Sequence, residues 1–325
     1  MRIPLPSSLL TSGLSHEIKA LREQVGNTSK EAVTGRYADL TAHLSGRISQ
    51  AMLGKKALDD IAQDRVHLTI REGRLDVAER SLTLVQERAN GLSARMQAAL
   101  GSSDQASKTA TARDALGALE ESFAALNARY GDRYLFAGDA TATPPFGNVS
   151  DLIDDVRSLA AAAPDAATFE ADLDTYFNTP GGGWRQNIYS GTDTVSDADA
   201  TPGSHASIIN IVRGLTVMAL SAPSENLTLL AGDSPTVHTA AETLSAGQTG
   251  LTNLRAEVGI SQAGIARTKE SLDLEETVLT ANFNELTARD QYEAASELRE
   301  LQSNLEASYL LTSRLANLSL LNFLR

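Results

Sequence analysis

Few side chains in this 325-residue sequence have the type and spacing that catalysis or metal binding requires. The five histidines, His16, His43, His67, His205 and His238, are scattered, and none lies in the HExxH pattern of a zinc-dependent hydrolase. Because the chain has no cysteine, thiolate metal sites, disulfides and cysteine nucleophiles are excluded. His16, His43 and His67 lie on or near the predicted long helices and are interpreted as solvated or packing residues.

The glycine-rich and acidic stretches also lack the neighbours that a ligand site needs. The run Gly181 to Trp184 has no Gly-Lys-Ser/Thr after it, so a turn is expected there rather than a phosphate loop. Asp193, Asp197 and Asp199 lack the EF-hand spacing and its closing glutamate, which favours a solvated acidic loop over a calcium site. The sequence thus predicts no catalytic residue, no cofactor and no metal, and it gives no reason to expect an enzyme.

Composition narrows the class of protein further. The chain carries 41 acidic and 28 basic residues, and a formal net charge of -13 argues against binding to nucleic acid or to anionic membranes. Aromatic residues make up only 5%, which fits thin helical packing better than one thick core. Since no apolar stretch is long enough to span a bilayer and MRIPLPSSLL does not resemble a cleaved signal, we expect a soluble protein, cytoplasmic or exported without signal cleavage.

The C-terminal third carries an apolar residue at every seventh position, which predicts a left-handed coiled coil. The spacing then shifts to four at Ala294 and Leu298, which predicts a stutter. The period resumes at Leu301 and Leu305, and no proline interrupts residues 239–318, so one continuous helix is expected. The seven-residue series consists of Leu244, Leu251, Val258, Ile265, Leu272, Leu279 and Leu286.

The spacing of apolar residues in the N-terminal region also predicts helices with an apolar seam, that is, a stripe of apolar residues along one face. The first helix is expected over residues 8–34 and should end at Thr34-Gly35. A second is expected from about Arg47 to Leu100, and a third after Asp104, which is a suitable N-cap. The seam of the first helix, with alternating steps of four and three, contains Leu14, Ile18, Leu21 and Val25.

The middle of the chain differs from both ends. Between residues 139 and 203 there are 11 acidic residues and two basic ones, and prolines and glycines are concentrated there. Short strands are predicted at 134–137 and 184–190, and short helices at 151–162 and 168–176. The pattern therefore predicts an inserted, acidic, mixed α/β domain.

Together these patterns predict a mainly α fold, an elongated coiled-coil rod formed by paired N- and C-terminal arms, with the smaller mixed α/β domain inserted. The arms must pair because an apolar seam on a single helix cannot be buried by that helix alone. The expected segments are the N-terminal helical arm (1–45), the first half of the rod (46–133), the inserted acidic outer domain (134–238), the second half of the rod (239–290) and the C-terminal helical arm (291–325).

Three stretches resemble the bacterial flagellin superfamily, in particular its hook-associated junction proteins. Residues 21–35, LREQVGNTSKEAVTG, are similar to the flagellin N-terminal helix with its Ser/Thr-Gly ending. Residues 128–146, ARYGDRYLFAGDATATPPF, and residues 302–324, QSNLEASYLLTSRLANLSLLNFL, resemble two segments of the junction proteins. The Asp-Asp-Pro that usually follows the first turn is absent, and the corresponding stretch has only Asp39.

The resemblance implies a structural protein that polymerises as a ring and connects hook to filament. It implies export through the flagellar type III channel to the cell exterior, and terminal helices that become ordered on assembly. The implied partners are further copies of the chain, a neighbouring hook-associated protein, flagellin, and an export chaperone that covers the C-terminal helix.

Two seams are the expected assembly sites. The N-terminal one contains Leu14, Ile18, Leu21 and Val25. The C-terminal one, which is also the expected chaperone site, contains Leu298, Leu301, Leu305, Leu315, Leu318, Leu321 and Phe323. Filament flagellin and a cytoplasmic coiled-coil scaffold remain alternative functions, and an enzyme within the middle domain is a third.

Overall fold

The structure is a computed structural model that describes the backbone of residues 7–323 and the side chains of residues 13–314. Helices account for 77% of it, which confirms the mainly α prediction. In the described part of the chain, the one regular sheet is an antiparallel hairpin in which Arg129 pairs with Tyr134 and Tyr130 with Arg133.

Ten α-helices and two short strands make up the regular structure of the described residues. In chain order they are α1 (Ser7–Thr34), α2 (Leu40–Leu44), α3 (Ile48–Ala89), α4 (Leu92–Gly101), α5 (Gln105–Leu126), β1 (Arg129–Tyr130), β2 (Arg133–Tyr134), α6 (Val149–Ala162), α7 (Ala166–Asn178), α8 (Ala206–Leu220), α9 (Pro235–Thr287) and α10 (Gln291–Phe323). A π-helix spans Trp184–Ile188, and two short 3-10 helices span Pro223–Glu225 and Thr228–Leu230.

The chain divides into two compact units. Unit 1 comprises Met1–Arg65 and Glu270–Arg325, and unit 2 comprises Val66–Lys269. In unit 1, α1 packs along α10. In unit 2, α8 packs against α5, α6 and α7. The five segments expected from the sequence remain a prediction.

The core of unit 2 is built around α8. Twelve of its 15 residues are buried, because it is apolar on nearly all sides and other helices surround it. Two glycines allow α8 and α9 to approach closely. A Cβ atom added to Gly214 would lie 2.8 Å from the carbonyl oxygen of Ala240, and one added to Gly247 would lie 2.8 Å from Ile211. Larger residues at these two positions would therefore push the helices apart.

An aromatic cluster completes this core. The ring of Trp184 is fully buried and lies 5.6–6.4 Å, centroid to centroid, from those of Phe123, Phe146, Phe177 and Tyr189. Such separations allow tilted and edge-to-face contacts, which stabilise the cluster beyond area burial alone.

The strand predicted over 184–190 was wrong, because Trp184–Ile188 forms a π-helix. Both Trp184 and Ile188 are buried, so the apolar residues recur at helical spacing rather than on alternate positions. Within residues 184–190, only Tyr189 forms a β-bridge, an isolated antiparallel one with Phe146.

The seven-residue series in α9 is buried where it crosses unit 2. Leu244, Leu251, Val258 and Ile265 are all at most 5% exposed. Polar pairs flank this seam, including Arg255 with Glu79 of α3 at 2.7 Å. The burial of these four positions agrees with the heptad prediction.

Two helices that were expected to be continuous are broken. The predicted helix 47–100 is interrupted at Asn90-Gly91, where Gly91 has φ +73° and ends the regular helix. The predicted helix 239–318 is interrupted after Thr287. There the Asp290 side chain accepts hydrogen bonds from the backbone N–H groups of Tyr292 (2.7 Å) and Glu293 (3.3 Å), so it acts as an N-cap that starts α10.

Other local expectations were confirmed. Gly35 has φ +66° and its N–H donates to the Glu31 carbonyl at 2.8 Å, so α1 ends where predicted. Asp104 accepts hydrogen bonds from the N–H groups of Ala106 and Ser107 and caps α5. Asp39 caps the short helix α2 in the same way, although neither this cap nor this helix was predicted.

A buried lysine joins α5 to the segment before α9. Lys108 is 2% exposed, and its Nζ donates to the carbonyls of Leu230 at 2.7 Å and Gly232 at 2.6 Å. Burial lowers the pKa of Lys108 below its ordinary value, while the charge of Asp233 acts in the opposite direction. The two hydrogen bonds offset part of the cost of burying this ammonium group.

We predict that Lys108→Met destabilises unit 2 by about 1–3 kcal/mol, because the carbonyl of Leu230 loses its buried donor. The free energy of unfolding is measured by urea denaturation with Trp184 fluorescence. The control is Arg88→Met, which removes the ion pair with Glu121 near the surface of the same unit and should change the free energy by less than about 1 kcal/mol. Equal effects of the two substitutions would contradict the prediction.

Candidate assembly helices

The N-terminal seam predicted from the sequence lies on a partly covered face of α1. Leu14, Ile18, Leu21 and Val25 are half-buried, whereas the residues between them are exposed. The main helical neighbour of α1 is α10, within unit 1. One partner helix covers only one face of a seam, which explains why these four side chains are only partly buried.

The C-terminal seam follows the same pattern on α10. Leu298, Leu301 and Leu305 are half-buried, and Ala294 near the start of the helix is fully buried. The remaining predicted positions, Leu315, Leu318, Leu321 and Phe323, lie outside the residues whose side chains are described. The role of both seams in assembly stays a prediction.

Unit 1 also exposes large apolar side chains that the heptad analysis missed. They do not lie on the seven-residue series, so no periodic signal pointed to them. Each of these side chains is at least 39% exposed and is therefore available for contact with another molecule. The exposed residues are Val33, Met52, Leu53, Leu274, Val278, Tyr292, Tyr309, Leu310 and Leu311.

An apolar groove lies within the same unit. It has a volume of about 240 Å³ and is lined mainly by α2, the start of α3 and the end of α9. Leu40, Leu44, Met52 and Phe283 form much of its wall.

A charged cluster joins the end of α1 to the start of α10. Glu31 is 6% exposed, and one of its carboxylate oxygens accepts from the N–H of Ala38 at 2.8 Å. The other oxygen pairs with Nη1 of Arg289, whose Nη2 pairs with Glu297. The Arg289 guanidinium also lies 5.3 Å from the ring centroid of Tyr37. Burial lowers the pKa of Arg289, but the two carboxylates outweigh this effect and raise it above the ordinary value.

Backbone hydrogen bonds reinforce this junction. The N–H of Arg289 donates to the Gly35 carbonyl at 2.9 Å, and the N–H of Tyr37 donates to the Thr287 carbonyl at 3.3 Å. Arg36 and Ala288 thereby form an antiparallel bridge. The chain between α9 and α10 is thus fixed to the chain that follows α1.

Three histidines occupy structural positions. His43 stacks on Tyr37 with ring centroids 3.6 Å apart, and the side chain of His205 accepts from the N–H of Ser207 at the start of α8. His238 lies 2.7 Å from an oxygen of Asp233. The stacking contact agrees with the interpretation of His43 as a solvated or packing residue.

The acidic loop expected to be solvated is instead held by arginines. Each of its three aspartates forms an ion pair within unit 2, and the side chain of Asp199 is only 12% exposed. The pairs are Asp193–Arg185, Asp197–Arg74 and Asp199–Arg71. No sequence pattern pointed to them, because two of the three arginines lie more than a hundred residues earlier.

Metal-binding clusters and membrane-spanning helices are both lacking in the part of the chain that the structure describes. Among the described residues, no group of three or more histidine, aspartate or glutamate side chains is arranged to hold a metal ion. In the same part of the chain, no helix has the length and apolarity that crossing a membrane requires.

Residues 242–324, which include most of α9 and the whole of α10, match the family model of the bacterial flagellin C-terminal helical region. The match supports the bacterial flagellin superfamily. It indicates a self-assembling structural component of the extracellular flagellum rather than an enzyme. No curated protein matches the chain.

We predict that Arg289→Gln loosens the α1–α10 helix pair at its junction. The buried Glu31 carboxyl group would lose its cationic partner, which should lower the local opening free energy by about 2–4 kcal/mol. Hydrogen exchange of the backbone amides at the end of α1 and in the first turns of α10 measures this change.

The control for this experiment is Arg299→Gln, which alters an exposed arginine on the same helix, α10. It should leave the exchange rates of those amides nearly unchanged. Equal rates in the two variants would show that the charged cluster does not hold the junction.

Proposed function

We propose that this chain is a structural subunit of the bacterial flagellum that polymerises as a ring and connects hook to filament. The observation that carries the proposal is the family match over residues 242–324 together with the pairing of α10 and α1. The proposed partners are further copies of the chain, a neighbouring hook-associated protein, flagellin and a cytoplasmic export chaperone.

The packing of unit 1 supports polymerisation. The α1 and α10 seams are only half-buried, and large apolar residues such as Met52, Leu274 and Leu310 are exposed. Ordering helical backbone costs about 1–2 kcal/mol per residue, and burial of this surface by neighbouring copies offsets that cost in an assembly. Folding of the terminal helices is therefore coupled to assembly.

Two sequence stretches favour a junction protein over a filament flagellin. Residues 128–146 and 302–324 resemble the corresponding segments of the hook-associated junction proteins. The first stretch includes the β1–β2 hairpin and ends at Phe146 in the aromatic cluster. Residues 302–323 of the second lie on α10, the helix whose seam is proposed to assemble. Filament flagellin is the alternative within the same superfamily.

Deletion of the gene tests the junction role directly. We predict hooks without filaments in electron micrographs of the deletion strain, with flagellin released into the medium. Expression of the wild-type chain from a plasmid should restore the filaments. Intact filaments and normal swimming would refute the junction role, and hooks without filaments but with no exported flagellin would indicate an export defect instead.

We further predict that Leu301→Asp with Leu305→Asp prevents incorporation into flagella, because two carboxylates on the α10 seam cannot be buried against another helix without a large desolvation cost. Incorporation is measured by immunoblotting of sheared, purified flagella. The matched control replaces exposed residues of the same helix, Gln302→Asp with Asn304→Asp, and should be incorporated normally.

The Trp184 fluorescence of the seam variant should match that of the wild type, because Trp184 lies in unit 2. A seam variant incorporated as well as its control would rule out the α10 seam as the assembly site.

A further inference from the structure

The acidic loop of unit 2 has the features of a strap that is held by charge. We define the strap as residues 193–202, which lie between the π-helix and α8. Among these ten residues, all of which the structure describes, none is buried. An apolar anchor therefore contributes little to its position, in contrast to the flanking residues Tyr189 and Ile208, which are fully buried.

Hydrogen bonds fix both ends of the strap to two adjacent residues that precede α6. The N–H of Thr192 donates to the Ala137 carbonyl at 3.0 Å, and the N–H of Gly203 donates to the Phe136 carbonyl at 2.7 Å. Because Phe136 and Ala137 are adjacent and buried, the two ends of the loop are held side by side. Movement of the segment between them would leave these two hydrogen bonds intact, but it would break the backbone bond from the Asp139 N–H to the Thr194 carbonyl (3.0 Å).

Polar contacts hold the strap in its closed position. Asp199 pairs with Arg71 at 2.6 Å and Asp197 with Arg74 at 2.7 Å, and both arginines project from α3. A second attachment is made by Asp139, whose two carboxylate oxygens accept from the N–H (2.8 Å) and the hydroxyl (2.9 Å) of Ser196. Near its start, Asp193 pairs with Arg185 of the π-helix.

The arginine contacts are incomplete, which lowers their net contribution. The Nε atoms of Arg74 and Arg185 are buried and have no hydrogen-bond partner. Each unmet donor carries a desolvation cost that subtracts from the attraction between the charges. Each partly exposed ion pair of this kind contributes little to stability, so the net free energy that favours the closed strap is small.

The strap covers apolar parts of the helices beneath it. On one side it lines, together with Leu75 of α3, a small cavity of about 40 Å³. On the other side it lines, together with Leu254 and Val258 of α9, a cavity of about 150 Å³. All three side chains are at most 5% exposed in the closed state.

We propose that residues 193–202 form an electrostatic latch. The latch opens as a unit when the Arg71 and Arg74 ion pairs are screened or broken, and it exposes the apolar surfaces of α3 and α9 while the helices of unit 2 stay folded. The trigger is ionic: salt or a competing charged surface weakens the pairs, because the pairs are partly exposed to solvent.

Hydrogen exchange in the full chain tests the latch. The suitable amide is that of Ser196, whose N–H donates to the Asp139 carboxylate outside the strap. In the double variant Arg71→Gln/Arg74→Gln its exchange should accelerate about tenfold. Raising the salt concentration from about 0.05 M to about 1 M should accelerate the wild type in the same direction, since the screening length falls to about 3 Å.

A matched double variant controls for loss of positive charge. Arg88→Gln/Arg95→Gln removes two ion pairs elsewhere in unit 2, with Glu121 and Asp114, and should leave the exchange of the strap unchanged. The urea midpoint from Trp184 fluorescence should stay close to the wild-type value in both double variants. In addition, a charge swap tests the Arg74–Asp197 pair. Arg74→Asp alone should accelerate the exchange of the strap, and its combination with Asp197→Arg should restore slow exchange.

Three results would overturn the proposal. The strap amides of the Arg71→Gln/Arg74→Gln variant could exchange at the wild-type rate, or the amides of α8 could accelerate together with them, which would mean that unit 2 unfolds as a whole. Exchange of the wild-type strap at the rate of an unstructured peptide would show that no closed state exists.

Discussion

The helices of this chain carry apolar stripes that they cannot bury by themselves, and this constraint explains most of the packing in both units. In unit 2 the stripe of α9 is buried at Leu244, Leu251 and Val258, and α8 is enclosed on nearly all sides. In unit 1 the pairing of α1 with α10 leaves both stripes half-covered. Unit 2 thus has a buried stripe, whereas unit 1 has two half-covered ones. A subunit that completes its packing with other copies requires such a difference. It agrees with the match to the flagellin C-terminal region.

Features that depend on neighbouring residues could be predicted from the sequence. The partly or fully buried positions of α1, α9 and α10 follow from apolar spacing alone, and the end of α1 follows from Gly35. The cap at Asp104 was also predicted. The break at Asp290 carried a similar local signal, an aspartate three residues before Glu293, but the heptad series extended across it and favoured one helix.

Features that depend on distant residues could not be predicted. Arg289 meets Glu31 across 258 positions of sequence, and Asp199 meets Arg71 across 128, so no spacing rule connects them. The ring of Trp184 in the π-helix lies among four other aromatic side chains, of which Phe123 belongs to α5 and Phe177 to α7. The residues next to Trp184 in sequence therefore do not indicate these contacts. For the seams that are proposed to assemble, apolar spacing predicts the positions on each helix but not the copies that would cover them.

The pairing of the first helix with the last also sets an order of events for a chain that emerges from a ribosome or a narrow channel with its N-terminus first. All residues of unit 2 have emerged once Lys269 has emerged, whereas α1 cannot pair until α10 has emerged as well. Closing a loop of this length adds an entropic barrier that local contacts do not face. Unit 2 can therefore fold during emergence, and α1 meets α10 only at the end of the process. For most of that time the N-terminal helix has a free face and no partner within its own chain.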